Sequence, residues 1–413
     1  MFEWAIYFIK SIFKKPFKIG LISYYYPEDF SKTNSGVAVH SYYLSRELTK
    51  LGCEVHVFSK WDKNKIKKEY IGDGKLVIHR INPEFDCPIS DSVMKKRMSY
   101  FIFDNKIINE ITKEDARRKF DIIHTHGWLT AGAFISKYLN DVKWIHTFHA
   151  VEKNRLRFMS KDEKKYFKIA RWVESTINYA DALVVVSQAL KKEVLNSYPV
   201  KEDKISYIPN GVDISLFHPE NSLTNDKTIL YIGRFSLEKG INLIPKIAKE
   251  VLEKNKEARF VIVAADSKIP SFGKIEKGFD ELAKKYKERF VIYNSYVNRE
   301  ELARLYNKSI IYLQPSVYES FGLCVLEAMA CGKAVIVSNR GGLPEVVGNA
   351  GLIVPLNDRA FSKQILRLLE DYRLRERYGR RAVERAKLFV WEKIALKTLD
   401  LYKKISFKQS KQI

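Results

Sequence analysis

Two acidic residues, Glu319 and Glu327, stand either side of a glycine turn in PSVYESFGLCVLEAMACGKAVIVSNRGGLPEVV, Pro315 to Val347. Ser320 and Gly322 suit a loop that turns into a helix. The amides of Phe321, Gly322 and Leu323 would then face a ligand with the helix dipole behind them. Backbone amides in that position suit a phosphate. A carboxylate accepts bonds from two neighbouring hydroxyls, which suits a ribose diol or a sugar. Glu319 precedes the helix and Glu327 lies within it, so the two are expected to touch different parts of a ligand. Glu327 sits among Leu326, Ala328, Met329 and Ala330, where an unpaired carboxylate would be costly.

Further cations lie upstream. TILYIGRFSLEKG reads as strand, turn at Gly233, then helix, and carries Arg234 and Lys239. Two cations beside a strand end can clamp a diphosphate, Arg as a planar fork and Lys as a mobile point charge. A diphosphate leaving group gains negative charge as its bond breaks. Preorganised cations stabilise that transition state more than the ground state. His124 and His126 form an H-x-H. On a strand this spacing puts both imidazoles on one face, but no third ligand is evident and no metal is assigned.

These groups need a scaffold that gathers separate strand ends. After Pro16, FKIGLISYY is a short apolar run and reads as a buried strand. A loop with Gly36, the helical pattern HSYYLSRELTKLG and the strand EVHVFSK follow. This is the repeating unit of a parallel doubly wound sheet. KLVIHRI, DIIHTH, KWIHTFH, ALVVVS and KISYIP fit further strands. The pattern restarts with TILYIGR, a helix in EKGINLIPKIAKEVLEK, and the strands RFVIVAAD, RFVIYNSY, IIYLQPS, AVIVSN and GLIVPL. Polar HPENSLTNDK, residues 218–227, reads as a linker.

The expected class is therefore α/β, with two doubly wound Rossmann-like domains facing across a cleft. The expected domains are 17–217 and 228–388, with an amphipathic segment at 1–16 and a final helix at 389–413 that crosses back to the first domain. Ligands of such sheets bind at the carboxyl ends of the strands. Residues 60–119 give no readable strand order.

Composition agrees with two domains, since 413 residues exceed one ordinary core. The net charge of +23 attracts anions: a nucleotide, an anionic membrane or nucleic acid. No nucleic-acid module is recognisable, and no such partner is expected. Cys53, Cys87, Cys324 and Cys331 have spacings that give neither a zinc ribbon nor a disulfide framework. A cytoplasmic setting is expected. No apolar run reaches the roughly eighteen residues of a spanning helix. MFEWAIYFIKSIFKK, residues 1–15, is amphipathic. It fits either an interfacial helix, giving peripheral contact with the cytoplasmic membrane face, or a terminal helix packed on its own domain.

IPNGVDISLF (Ile208 to Phe217), YIGRFSLEKG (Tyr231 to Gly240), ESFGLCVLE, GGLPEVV and FVWEKIALKTLDLY (Phe389 to Tyr402) together resemble the motifs of a retaining glycosyltransferase of family 4 with the GT-B fold. The resemblance covers nearly the whole chain from Lys18 onward. It implies a nucleotide-sugar donor in the second domain and an acceptor in the first. Arg234 and Lys239 would hold the diphosphate, with Gly233 beside them, and Glu327 the ribose. Glu319 would face the sugar, with the amides of Phe321, Gly322 and Leu323 on the sugar or distal phosphate. Gly36 lies in a segment similar to the family's glycine loop near the diphosphate. His149, in TFHA, matches its histidine near the reacting sugar carbon. The chain departs from the family at Asn34-Ser35-Gly36, where a glycine pair is common, and at Ala264-Ala265-Asp266, where a glycine-rich turn is common.

No D-x-D triplet occurs. Transferases of the other large fold often place a divalent metal with that motif, so a metal-independent reaction without cofactors is expected. HTHGWLTAGA and HAVEKNR are similar to acceptor-side segments of glycogen synthases and their relatives. The implied activity is transfer of a hexose from a nucleoside-diphosphate sugar to a glycan or lipid-linked acceptor. The alternatives are an α-glucan synthase-like enzyme and a catalytically silent module that binds nucleotide sugars or glycans.

Overall fold

The run KIGLIS is buried along its whole length as strand β1 (Lys18–Ser23), as a strand must be when helices cover both faces of its sheet. The computed structural model describes residues 16–27, 35–61, 67–83, 92–127, 139, 142–158, 164, 175–220, 227–264, 273–293 and 297–407. Segment 1–15, Asn34, Cys87, most of HTHGWLTAGA, and Ala265 with Asp266 lie outside these residues.

The chain divides into two compact units. Described residues up to Pro209, together with those from Trp391, form the first, and Asn210–Val390 form the second. In the first unit β1 is joined by β2 (Glu54–Lys60), β3 (Lys67–Ile71), β4 (Leu76–Ile81), β5 (Ile122–His126), β6 (Lys143–Phe148), β7 (Ala182–Val185) and β8 (Ile205–Tyr207). Their order is β3-β4-β2-β1-β5-β6-β7-β8. Only the β3–β4 pairing is antiparallel. β3 and the helix Ser92–Arg117 fill the stretch that gave no strand order. That helix buries Phe103, Ile107 and Ile111 at four-residue spacing, a helical signal present in the sequence.

The second sheet holds β9 (Lys227–Ile232), β10 (Ala258–Val263), β11 (Phe290–Tyr293), β12 (Ile311–Gln314), β13 (Ala334–Ser338) and β14 (Leu352–Val354). All its pairings are parallel, in the order β11-β10-β9-β12-β13-β14. In each sheet the chain steps outward from one central strand, then returns to that strand's other side. The reversal lies between β1 and β5 in the first sheet and between β9 and β12 in the second. Doubly wound sheets bind ligands at such reversals.

The division falls ahead of the expected linker at 218–227, because residues 210–220 already pack on the second unit. Phe217 is fully buried with its ring 5.8 Å from that of Tyr306. Asn307 donates to the His218 carbonyl at 3.0 Å and accepts from the Glu220 amide at 3.2 Å. The segments entering and leaving this unit are tied by the Val212 amide, which donates to the Phe389 carbonyl at 2.7 Å. The last helix, Trp391–Phe407, belongs to the first unit. There Trp391 stacks on Tyr43 of the helix Gly36–Lys50, ring centroids 5.3 Å apart. Among the described residues no helix is long and apolar enough to cross a membrane.

Candidate active site

Three loops meet beyond the carboxyl ends of β9, β12 and β13, and glycines let them close on one another. The buried Tyr231 hydroxyl of β9 donates to the carbonyls of Arg234 and Lys239, each at 3.4 Å, and so spans the base of the first loop. A Cβ on Gly233 would lie 2.9 Å from that hydroxyl. Gly240 has φ +71°, and a Cβ there would lie 1.8 Å from the Pro315 carbonyl oxygen. The Glu238 carbonyl accepts from the amides of Val317 and Tyr318 at 2.9 and 3.1 Å. The first loop is thus bonded to the second.

The glycine pair binds the third loop to the second. The Gly342 amide donates to the Glu319 carbonyl at 2.9 Å. Gly341 has φ +56°, and a Cβ on it would lie 1.9 Å from that same carbonyl oxygen. Gly341→Ala should therefore displace the Glu319 loop and lower stability by about 1–3 kcal/mol from backbone strain alone. Urea unfolding measures this, and an unchanged midpoint with unchanged activity would refute it. Gly322, at φ +109°, caps the helix Leu323–Ala330. Among the described residues no hydrogen bond engages the amides of Phe321, Gly322 or Leu323. They remain donors at a helix N-terminus.

The charged groups meet in an arrangement that spacing did not disclose. Lys239 Nζ donates to Glu319 Oε2 at 2.6 Å, and both side chains are largely buried. The resemblance implies Lys239 on the diphosphate and Glu319 on the sugar; the fold puts the two side chains in contact. Glu319 fixes the ammonium, which keeps two further protons for an anion. Arg234 donates to Glu238 at 3.1 Å and is 55% exposed. Most of its fork is open to a ligand.

Glu327 is 5% exposed. Its Oε1 accepts from Arg299 at 3.0 Å and its Oε2 from Tyr306 at 3.1 Å. Arg299 is itself buried, 5.0 Å from the Phe217 ring centroid. The sequence required some partner for Glu327 but named neither residue. Cys324, on the same helix, has its thiol pushed up to about 12, by burial first and then by Glu327 and Glu319. It stays protonated and is no nucleophile.

In the first unit Gly36 opens the helix Gly36–Lys50 instead of standing in a loop, and Ser35 caps it through the Ala38 amide at 3.4 Å. His149 directly follows β6, and its Nε2 lies 3.3 Å from His126 Nδ1 at the end of β5. The His40 ring lies 4.8 Å from that of His149 and 4.9 Å from that of His126. His124 and His126 share a face, with rings 4.3 Å apart, yet their surroundings differ. His124 bonds Tyr402 through Nδ1 and Thr147 through Nε2, both at 2.6 Å. Burial, then neighbouring imidazoles, hold His126 and His149 well below the usual imidazole range. His149 is therefore neutral near pH 7.

His79 and His146 are each lowered to about 3, chiefly by burial. Both stay neutral in the fold while the unfolded chain takes up protons below about pH 6.5. Their contribution is fully present above pH 6.5 and is lost progressively as pH falls toward 3, by about 1.4 kcal/mol per pH unit for each group. All histidines but His218, and the described tryptophans Trp61, Trp144 and Trp391, lie in the first unit. Acid titration should shift tryptophan fluorescence before the far-ultraviolet dichroism is fully lost; simultaneous loss below pH 3 would refute this.

Residues 34–216 match the family model described as Glycosyltransferase Family 4, and residues 213–385 the model described as Glycosyl transferases group 1. An uncharacterized glycosyltransferase of Methanocaldococcus jannaschii is 27% identical over 94% of this chain and 98% of its own. Sucrose-phosphate synthase from Thermosynechococcus elongatus superposes with a TM-score of 0.77 at 23% identity, over 94% of this chain and 99% of its own. HepE of Anabaena, solved with UDP and glucose, gives 0.68 at 16% identity, over 94% and 99%. The two matches overlap at residues 213–216 and together cover residues 34–385, in both parallel-sheet units, so this chain belongs to the family 4 glycosyltransferases, with the GT-B fold.

Proposed function

We propose that the enzyme moves a hexose from a nucleoside-diphosphate sugar to a glycan or lipid-linked acceptor, with retention at the anomeric carbon and with no divalent metal on the diphosphate. The observation that carries this reading is the Lys239–Glu319 contact at 2.6 Å, beside the helix-terminal amides of Phe321, Gly322 and Leu323. A cation, a carboxylate and free amides held together suit the junction between a sugar and its phosphate. The complex of HepE with UDP and glucose supports a donor of that class.

In this reading Lys239, Arg234 and the amides take the charge that builds on the departing diphosphate. Glu327, fixed by Arg299 and Tyr306, accepts from the ribose, and Glu319 addresses the sugar. The acceptor approaches from the face the diphosphate leaves, and a diphosphate oxygen takes its proton. His149, being neutral, positions the sugar or stabilises charge and need not be a strong base. Free thiols at Cys53, Cys324 and Cys331 support a cytoplasmic setting.

The test is a screen of UDP-, GDP- and ADP-sugars for slow hydrolysis, with the product anomer read by proton NMR. Tight binding without turnover of any donor would leave a binding module. EDTA should not inhibit; strong inhibition reversed by magnesium or manganese would overturn the metal-independent step. Removal of residues 1–15 sorts the acceptors. Loss of liposome binding with soluble activity intact supports a lipid-linked acceptor, and elongation of α-glucan primers supports a glucan.

A further inference from the structure

The sequence offered an H-x-H without a third ligand; the folded first unit sets one of its two histidines, His126, beside His40 and His149. We propose that His40, His126 and His149 form a binding site for a single transition-metal ion of the zinc class. Each imidazole comes from a different segment: the helix Gly36–Lys50, the end of β5 and the residue after β6. One ring nitrogen of each lies within 4.8 Å of the others.

Two nitrogens on a tetrahedral zinc, at about 2.0–2.1 Å from the metal, stand roughly 3.3–3.4 Å apart. His126 Nδ1 and His149 Nε2 are 3.3 Å apart, so two of the three rings already have that spacing. His40 has to approach by at most roughly 1.5 Å to complete it. The other ring nitrogen of His126 is buried without a hydrogen-bond partner. Binding an ion through Nδ1 thus costs that ring no bond except the one to His149. His149 is only partly buried, which gives an ion entry and leaves a fourth coordination position for water.

An all-imidazole set selects zinc, copper, nickel or cobalt over magnesium or calcium. His124 is excluded, since Tyr402 and Thr147 occupy both of its nitrogens. A second buried cluster, His56, His79 and Glu114, is a weaker candidate. There Glu114 already pairs with Lys68 and Arg117, and His56 with Glu54. An ion on His149 withdraws that residue from the sugar, so zinc inhibits transfer; this consequence rests on the function proposed above.

The test is calorimetric titration of the untagged full chain with zinc, and cobalt substitution read by the absorption of a tetrahedral ion. One equivalent should bind. His40→Gln, His126→Gln and His149→Gln should each weaken binding at least ~10-fold, whereas His79→Gln should not. Circular dichroism checks folding, and partly exposed His149 provides a variant if those at the buried positions fail to fold. Absence of saturable binding, or binding that survives His149→Gln, overturns the site. Stoichiometric binding without inhibition of donor hydrolysis upholds the site and overturns the role of His149 in transfer.

Discussion

Glu327→Ala is expected to destabilise the second unit by about 3–5 kcal/mol, the range for removing one member of a buried ion pair. The substitution removes the carboxylate that the Arg299 guanidinium, 4% exposed and beside the Phe217 ring, meets at 3.0 Å. It also leaves the Tyr306 hydroxyl without the acceptor it has at 3.1 Å. Most of the loss is the cost of taking a carboxylate away from a buried cation and a buried hydroxyl, and little of it is the net worth of the pair. Replacing Arg299 and Glu327 together, by Met and Leu, should recover much of the stability while abolishing ribose recognition. Urea unfolding of the two single variants and the double variant gives the coupling directly. A loss below about 1 kcal/mol for Glu327→Ala would show that the pair is not buried as described.

This changes how the glutamate must be tested. Loss of donor binding in Glu327→Ala cannot be separated from loss of fold. Glu327→Gln keeps the shape but is neutral and has one acceptor oxygen for Arg299 and Tyr306, so weaker donor binding in it reports on the ribose only where urea unfolding shows the fold retained.

Lys239→Ala is expected to lower kcat/KM for the donor by ~10²–10³, the usual loss when one preorganised donor to a developing anion is removed. The loss should fall mainly on kcat, because the leaving group carries more charge in the transition state than in the ground state. The substitution also unpairs Glu319, whose carboxylate would then face the incoming diphosphate. Stability should fall as well, since both side chains are largely buried and Glu319 loses its cation; urea unfolding separates this loss from the loss of rate. Lys239→Arg keeps the charge but not the compact ammonium, and should recover only part of the rate. Glu319→Ala should lower turnover more than donor binding. Steady-state kinetics on the best donor of the screen decides this. A change of less than about threefold in Lys239→Ala would remove the residue from the reacting centre.

Most strands were legible because each is a short apolar run closed by turn residues, the pattern of a strand buried on both faces. β3 was not. Its sequence, KKEYI, is polar and only partly buried at the sheet edge, so little hydrophobic patterning marks it. Polarity and Pro219 mark the stretch 218–227 as a turn, whereas the division of the chain after Pro209 follows packing, since Phe217 and Asn307 bind residues 210–220 to the second unit. The region 60–119 hid a helix whose apolar spacing from Phe103 to Ile111 was readable but lay among charged residues.

By itself the sequence determined the two doubly wound sheets, the glycines at which loops must close, and the need of Glu327 for a partner. Those follow from local rules: strand and helix periodicity, turn chemistry, and the cost of leaving a carboxylate unpaired. Only the tertiary structure decided which charges meet. Lys239 reaches Glu319, Arg299 reaches Glu327, and His40 joins His126 and His149 because parallel strands bring residues far apart in the chain to neighbouring carboxyl ends. That pairing depends on strand order, and strand order is set by packing, which no spacing within one segment encodes.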